Sequence, residues 1–367
     1  MKIICVAGTR PEAIKMAPVI LELKNNPAFN VKVLATAQHR QMLDQVFALF
    51  GIVPDIDLDI MQPNQSLPTL TARLLLKLDE VLQAEKPDVV LAQGDTTTVM
   101  TVAMACFYLR IPFGHIEAGL RTGDMQNPFP EEMNRVIAGR LTRWHFAPTD
   151  SSKNNLLREN VDPASIWVTG NTVIDALHSV IQKPIELNLP IDSSKRLILV
   201  TAHRRENFGE PYREICEAVL DIVQQNDDVQ VLYPVHPNPN IKAVAYELLS
   251  NNPQIILCDP LDYLPFVGAM QRATVILSDS GGVQEEAPAL GKPVLVLRDE
   301  TERPEAVEAG VVKLVGPHRA AIVRECQHLL DDEGAYNAVA RGVSPYGDGK
   351  ASERIHAVLR EYAASCN

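Results

Sequence analysis

Ser278-Asp279-Ser280-Gly281-Gly282-Val283-Gln284-Glu285-Glu286, preceded by the apolar run Thr274-Val275-Ile276-Leu277, is the stretch on which the fold turns. A β-branched run, two adjacent glycines and then helix-forming residues read as a strand, a tight turn and a helix start. The glycines let backbone come close to an anion. The helix start offers unpaired N–H groups and the positive end of a dipole. Glu286, about one turn into that helix, is placed to reach a polar partner such as a ribose hydroxyl pair. A tight turn with an acidic first helical turn accounts for the same residues without a ligand. The stretch alone leaves both readings open, and the rest of the chain weighs them.

Outward from it, short apolar runs alternate with longer helical patterns, the signature of a parallel sheet with crossover helices. In the first half the strand candidates are Ile3–Ala7, Val31–Ala35, Val89–Ala92, Phe113–Ile116, Trp144–Ala147 and Ile166–Thr169. In the second they are Leu197–Thr201, Val229–Tyr233, Ile255–Cys258, Thr274–Leu277, Val294–Leu297 and Val311–Val315. Helical patterns include Gln41–Phe50, Leu67–Gln83, Thr97–Leu109 and Tyr212–Gln224, with Leu74, Leu75, Leu78, Leu82, Met100, Met104 and Phe107 expected in the core. A chain of 367 residues suits two domains. We read a Rossmann-like domain at 1–170, a second at 171–345 and a last helix at 346–367 that packs back on the first.

The totals narrow the function. A net charge of −12 argues against nucleic acid or an anionic membrane as partner, though not against a small anionic ligand. Every long apolar run is broken by charge, so no membrane span is expected, and the start of the chain has no signal-peptide pattern. Six scattered cysteines without a C-x-x-C pair point to reduced thiols and a cytoplasmic protein. The nine histidines form no H-x-x-x-H or H-E-x-x-H pair, so no metal is expected. G-x-G-x-x-G is absent after the first strand, which disfavours a nicotinamide cofactor.

Polar and charged residues collect after the strands, where doubly wound sheets bind ligands. After the first come Gly8, Arg10 and Lys15, which suit a phosphate or an ordinary helix start. Asp95, before three threonines, is a ligand group or a helix cap. Glu117 ends an apolar strand, where an unpaired carboxylate is costly, so function is favoured. Glu131 and Glu132 open a helix, and for Glu132 the helix dipole suffices. His203 and His236 end strands of the second half at matching positions. A ligand cleft between two domains explains this one-ended clustering.

Together the motifs GTRPEAIKMAP, TAQHRQMLDQ, GDTTT, GHIEAGLRTGD, PFPEEMNR, TGNTVIDAL, TAHRREN, DSGGVQEEAPALGKPVLVLRD and TERPEAV resemble the bacterial non-hydrolysing UDP-N-acetylglucosamine 2-epimerases, in order and spacing, from Met1 to the closing segment. The resemblance implies a GT-B fold, two Rossmann-like domains facing a central cleft, a homodimer, no cofactor, and interconversion of UDP-N-acetylglucosamine and UDP-N-acetylmannosamine for cell-surface polysaccharide synthesis. It places catalytic groups on Asp95, Glu117, Glu131 and His203, and UDP contacts on Arg10, Lys15, Phe266, Ser280, Gly281, Gly282, Glu286 and Arg303. In that mapping Phe266 lies near the uracil, Ser280–Gly282 hold the diphosphate and Glu286 takes the ribose. Gln38, His39, Gln41, Arg204 and His236 resemble parts of a regulatory UDP-sugar site, although regulated members carry a basic residue near Asn64 and this chain does not. The family often has His where this chain has Gln93. Rival readings are a hydrolysing epimerase that releases N-acetylmannosamine and UDP, a GT-B glycosyltransferase, and a nucleotide-sugar sensor without turnover.

Overall fold

The computed structural model describes residues 1–36, 40–62 and 65–366, and for 40–42 the backbone alone. The chain divides into two compact units, Met1–Ser179 with Tyr346–Asn367, and Val180–Pro345. In the first, strands β1 (Lys2–Ala7), β2 (Asn30–Ala35), β3 (Ile56–Asp57), β4 (Val89–Gln93), β5 (Phe113–Ile116), β6 (Trp144–Ala147) and β7 (Ile166–Val168) form one sheet ordered β3-β2-β1-β4-β5-β6-β7. In the second, β8 (Arg196–Thr201), β9 (Val229–Pro234), β10 (Ile255–Cys258), β11 (Val275–Ser278), β12 (Val294–Val296) and β13 (Val312–Leu314) are ordered β10-β9-β8-β11-β12-β13. Neighbouring strands pair in parallel, in register such as Ile3↔Val89 and Val275↔Ile198. Both sheets are therefore doubly wound, as the alternating pattern predicts.

The strands are apolar throughout because helices cover both faces. Ile3, Ile4 and Cys5 of β1 and Ile276 and Leu277 of β11 are fully buried. The helix Leu67–Glu85 shows how a crossover is written. Ser66 caps it through Thr69 N–H, and Leu70, Leu74, Leu78 and Leu82, one per turn, face the core. Strand order reverses between β1 and β4 in the first unit, and between β8 and β11 in the second. Each reversal opens a switch point at the carboxyl ends of its strands, where ligands of such sheets bind.

Three features depart from the sequence reading. The two-residue β3 was not expected, being too short to carry a pattern. Phe107, read as core, is 61% exposed beside the exposed Tyr108, while Ala105 and Cys106 of the same turn are buried, so Phe107 lies on the solvent side of the helix Thr97–Tyr108. The units part at Ser179 and not at Gly170. Helix Thr172–Val180 stays with the first unit because Asp175 accepts from Ala351 N–H (3.2 Å), Ser352 N–H (2.8 Å) and Ser352 Oγ (2.6 Å), serving the start of helix Ala351–Ser365 from across the chain. That closing helix packs on helix Arg10–Lys24, where His356 meets Glu22 and Asn26 at 2.9 Å each. Among the described residues no helix is long and apolar enough to cross a membrane.

Two buried histidines make the first unit acid-sensitive. His115 and His145 face each other in register on β5 and β6, 1% and 2% exposed. His115 Nε2 donates to Gly94 O at 2.7 Å. Burial pushes His115 down to about 4 and His145 down to about 3, so both rings fold neutral. With unfolded values near 6.5, their contribution is complete above that pH and is lost as pH falls through the window toward 4. Glu12 acts oppositely: burial raises it to about 7, so it gains stability as pH falls from 7 to 4.5. The two histidines outweigh Glu12, so stability should fall as pH falls from 6.5 to 5. Urea unfolding across that range should show the loss, and His115→Gln, whose amide can still donate to Gly94 O, should reduce it. A pH-independent unfolding energy would contradict this account.

Candidate active site

At the first switch point the chain leaves β1 through Gly8 and Thr9 into helix Arg10–Lys24. Thr9 and Glu12 form a capping box. Glu12 does more than cap: its carboxylate accepts from Gly8 N–H (2.5 Å), Thr9 N–H (3.2 Å) and Thr96 Oγ (2.6 Å), joining the loops after β1 and β4. Arg10 stands part exposed at the helix start, and Lys15 lies one turn further in, 9% exposed.

Glu117 follows β5 with φ of +66°, a left-handed backbone that a side-chain-bearing residue rarely adopts and that recurs at functional sites. Gly119, next but one, must also stay bare: with φ of +92°, a Cβ there would strike Ser152 O. The Glu117 carboxylate is 9% exposed, and its Oε2 takes Lys15 Nζ at 2.5 Å, Gln93 Nε2 at 2.8 Å and Asn171 Nδ2 at 3.3 Å. Three donors converging on one oxygen call for an ionised carboxylate. Lys15, mapped by resemblance to the nucleotide, pairs here with Glu117.

Asp95 is not the helix cap that the bland reading allowed: Thr96 caps Thr97–Tyr108 by accepting from Val99 N–H. The Asp95 carboxylate instead meets Arg135 Nε at 3.0 Å and Nη2 at 2.7 Å, and its carbonyl accepts from Asn134 Nδ2 at 2.9 Å. Arg135 Nη1 in turn meets Glu132 Oε2 at 3.0 Å. Glu132 is 1% exposed, and its other oxygen accepts from Thr122 and Gly123 N–H at 3.0 Å each. The dipole explanation for Glu132 therefore falls short; it is the buried counter-charge of Arg135. Glu131, its neighbour, is part exposed at the start of helix Glu131–Leu141.

The second switch point is the candidate anion site. Helix Gly281–Ala289 begins with Ser280 as N-cap and no side-chain capping bond. Gly281 lies beside two guanidinium groups: a Cβ on it would make ordinary contact, 3.5 Å from Arg303 Cζ and 3.8 Å from Arg204 Nη2. Arg303, 9% exposed, is aimed by Glu285 (Nε–Oε1 2.6 Å), while Arg204 Nε is buried with no hydrogen-bond partner among the described residues. Two guanidinium groups, bare glycines and an uncapped helix start suit an anion with several oxygens. Glu286 Oε1 accepts from Tyr263 Oη at 2.5 Å, which orients it. Phe266 is part buried on helix Tyr263–Arg272.

His203 ends β8 beside this site. Its Nδ1 lies 3.3 Å from Asp279 Oδ1, and Asp279 Oδ2 accepts from His203 N–H, Arg204 N–H and Asn207 Nδ2. The ring is 38% exposed and stacks on His236 at 5.6 Å. Desolvation lowers its pKa, against the opposite pull of Asp279. His236 is exposed. Gln38, His39, Asn64 and the side chain of Gln41 lie outside the described residues.

Sequence reasoning missed the supports: Asn134 and Arg135 for Asp95, Gln93 and Asn171 for Glu117, Asp279 for His203. Their signals are modest, a polar residue ending an apolar strand (Gln93, Asp279) and Glu-x-x-Arg spacing on a helix (Glu132, Arg135). Arg135→Ala strips two carboxylates of their cation and leaves Glu132 buried, which should cost about 3–5 kcal/mol. Denaturant unfolding reads it, and a loss below about 1 kcal/mol, the scale of an exposed pair, would contradict the buried pairing.

A model of the UDP-N-acetylglucosamine 2-epimerase family matches residues 21–360. The chain is 54% identical to the UDP-N-acetylglucosamine 2-epimerase of Escherichia coli (strain K12) over 370 aligned positions, covering 98% of each chain. It is similar to a crystal structure of UDP-GlcNAc 2-epimerase from Neisseria meningitidis bound to UDP-GlcNAc, at 50% identity and a TM-score of 0.93, covering 98% of this chain and 100% of that one. The enzyme from Methanocaldococcus jannaschii in complex with UDP-GlcNAc and UDP matches at 35% identity and a TM-score of 0.83, covering 98% and 100%. The paired Rossmann units are thus GT-B-like, and the chain belongs to the UDP-N-acetylglucosamine 2-epimerase family.

Proposed function

We propose that this protein interconverts UDP-N-acetylglucosamine and UDP-N-acetylmannosamine without net hydrolysis, by eliminating UDP to a 2-acetamidoglucal and adding it back. The observation that carries the reading is Glu117: a backbone-strained, buried carboxylate kept charged by Lys15, Gln93 and Asn171. A pure nucleotide-sugar binder has little use for such a group.

The C2 proton of the sugar is not next to a carbonyl, so its removal needs help. Cleavage of the C1–O bond sends that electron pair to the departing UDP, while the C2–H pair becomes the C1–C2 double bond. A base takes the proton. In the reverse step UDP re-adds at C1 and a proton reaches C2 on the opposite face. Asp95, Glu117 and Glu131 are assigned the proton transfers and the offset of positive charge developing at C1. Arg10, Arg303, His203 and the Ser280–Gly282 corner are assigned the diphosphate, whose charge grows as it leaves. The unmet Nε of Arg204 beside Gly281 supports an anion there. Phe266 and Glu286 take the uracil and ribose, Glu286 already oriented by Tyr263.

The product would feed cell-surface polysaccharide synthesis, and we assign the enzyme to the cytoplasm as a homodimer. Leu76, Phe107 and Tyr108 are exposed apolar residues on the first unit's helices, and a second copy would cover them.

Proton NMR of UDP-N-acetylglucosamine with the pure protein in D₂O tests the reading. UDP-N-acetylmannosamine carrying deuterium at C2 is expected. Free N-acetylmannosamine with UDP would move the assignment to the hydrolysing reaction, and an unchanged spectrum would refute epimerisation. Glu117→Gln should lower turnover by about 10²–10⁴ while folded; near-wild-type turnover would remove Glu117 from the chemistry.

A further inference from the structure

Glu117 cannot hold itself. Its left-handed backbone ends β5, and its carboxylate depends on donors from other elements. Lys15 and Gln93 reach it from the β1 and β4 side of the sheet, and Asn171 from the other flank, after β7. Asn171 uses every polar group it has. Oδ1 accepts from Val173 N–H at 3.1 Å, the usual service of a helix cap, and its carbonyl accepts from Ile174 N–H at 3.1 Å. Nδ2 donates to Glu117, which capping does not require. Its backbone N–H donates to Tyr346 O at 2.6 Å.

Tyr346 is where the chain returns to the first unit. The returning segment is fastened around Asn171 at several points. Gly347, with φ of +136°, lies so close that a Cβ on it would sit 3.2 Å from Gly170 Cα. Arg354 Nη1 donates to Thr169 O at 2.8 Å and pairs with Asp348, and Asp175 holds the start of the closing helix. Tyr346 itself is 2% exposed. One residue thus touches both the carboxylate assigned to the chemistry and the segment that re-enters the fold.

We propose that Asn171 is a positioning residue for Glu117, and that its bond to Tyr346 makes the placement of that carboxylate depend on the re-entrant C-terminal segment. The proposal rests on the role assigned to Glu117, and the substituted protein separates the two ideas. Asn171→Ser keeps an oxygen that caps the helix but is too short to reach Glu117. If Asn171 only caps, this variant behaves as wild type. If it positions Glu117, kcat falls about tenfold to a hundredfold, as a misplaced reacting group costs, while UDP affinity by calorimetry stays unchanged and thermal stability falls by no more than one lost hydrogen bond. Wild-type kcat in folded Asn171→Ser overturns the proposal. Should the serine variant be unstable, Asn171→Asp preserves both shape and cap, and wild-type turnover there overturns it equally.

Gly347→Ala tests the link to the segment. It should lower kcat, and the double variant with Asn171→Ser should lose no more than the worse single one, since both act through one contact. Additive losses would detach the segment from Glu117. A crystal structure of Asn171→Ser serves as the readout independent of activity. A Glu117 carboxylate displaced from Lys15 and Gln93 supports the proposal even if the wild-type protein failed to exchange the C2 proton, and an unmoved one overturns it.

Discussion

A carboxylate taken out of water must be met by donors, and most of the order in this protein follows from that constraint. Its buried acids are met from distant parts of the chain. Glu12 draws on the loops after β1 and β4, Glu117 on residues 15, 93 and 171, and Glu132 on the loop at 122–123 and on Arg135. Asp279 draws on His203, Arg204 and Asn207, and Asp175 on the start of the closing helix. Each bond answers a local desolvation cost and at the same time fixes one loop against another. The loops that carry the candidate site are tied to one another by these bonds.

The same constraint divides labour between the units. The first unit gathers acids with their partners at its switch point; the second gathers arginines, bare glycines and an uncapped helix start at its own. Both units also pair acids with bases that orient them, Lys15 with Glu117 and Arg135 with Asp95 in the first, Arg303 with Glu285 in the second.

The strands were readable because burial on both faces demands continuous apolar runs, and β5, β6 and β10 fall on the expected residues. Phe107 was misplaced because the helix Thr97–Tyr108 is apolar nearly all round, so no polar residue marks its solvent side. Asp95 was readable as a polar residue at a helix start but not as the partner of Arg135, since the cap is Thr96 and the pairing bridges 40 positions, whereas Glu132 sits only three residues from Arg135. Asn171 carried no signal of its own, because half of its bonding is that of an ordinary helix cap.

From the sequence alone came the doubly wound architecture, the alternation that repeats it twice, the glycine corner at 281–282 and the family. These are local: a run of apolar residues or a pair of glycines constrains its own backbone wherever the chain goes. Tertiary structure alone decided which donor serves which acid, where the chain returns at Tyr346 to support Asn171, and which side of a helix is left to solvent. Hydrogen bonds depend on distance in space, and separations of 102 residues between Lys15 and Glu117, or 54 between Glu117 and Asn171, leave no periodicity in the sequence by which to read them.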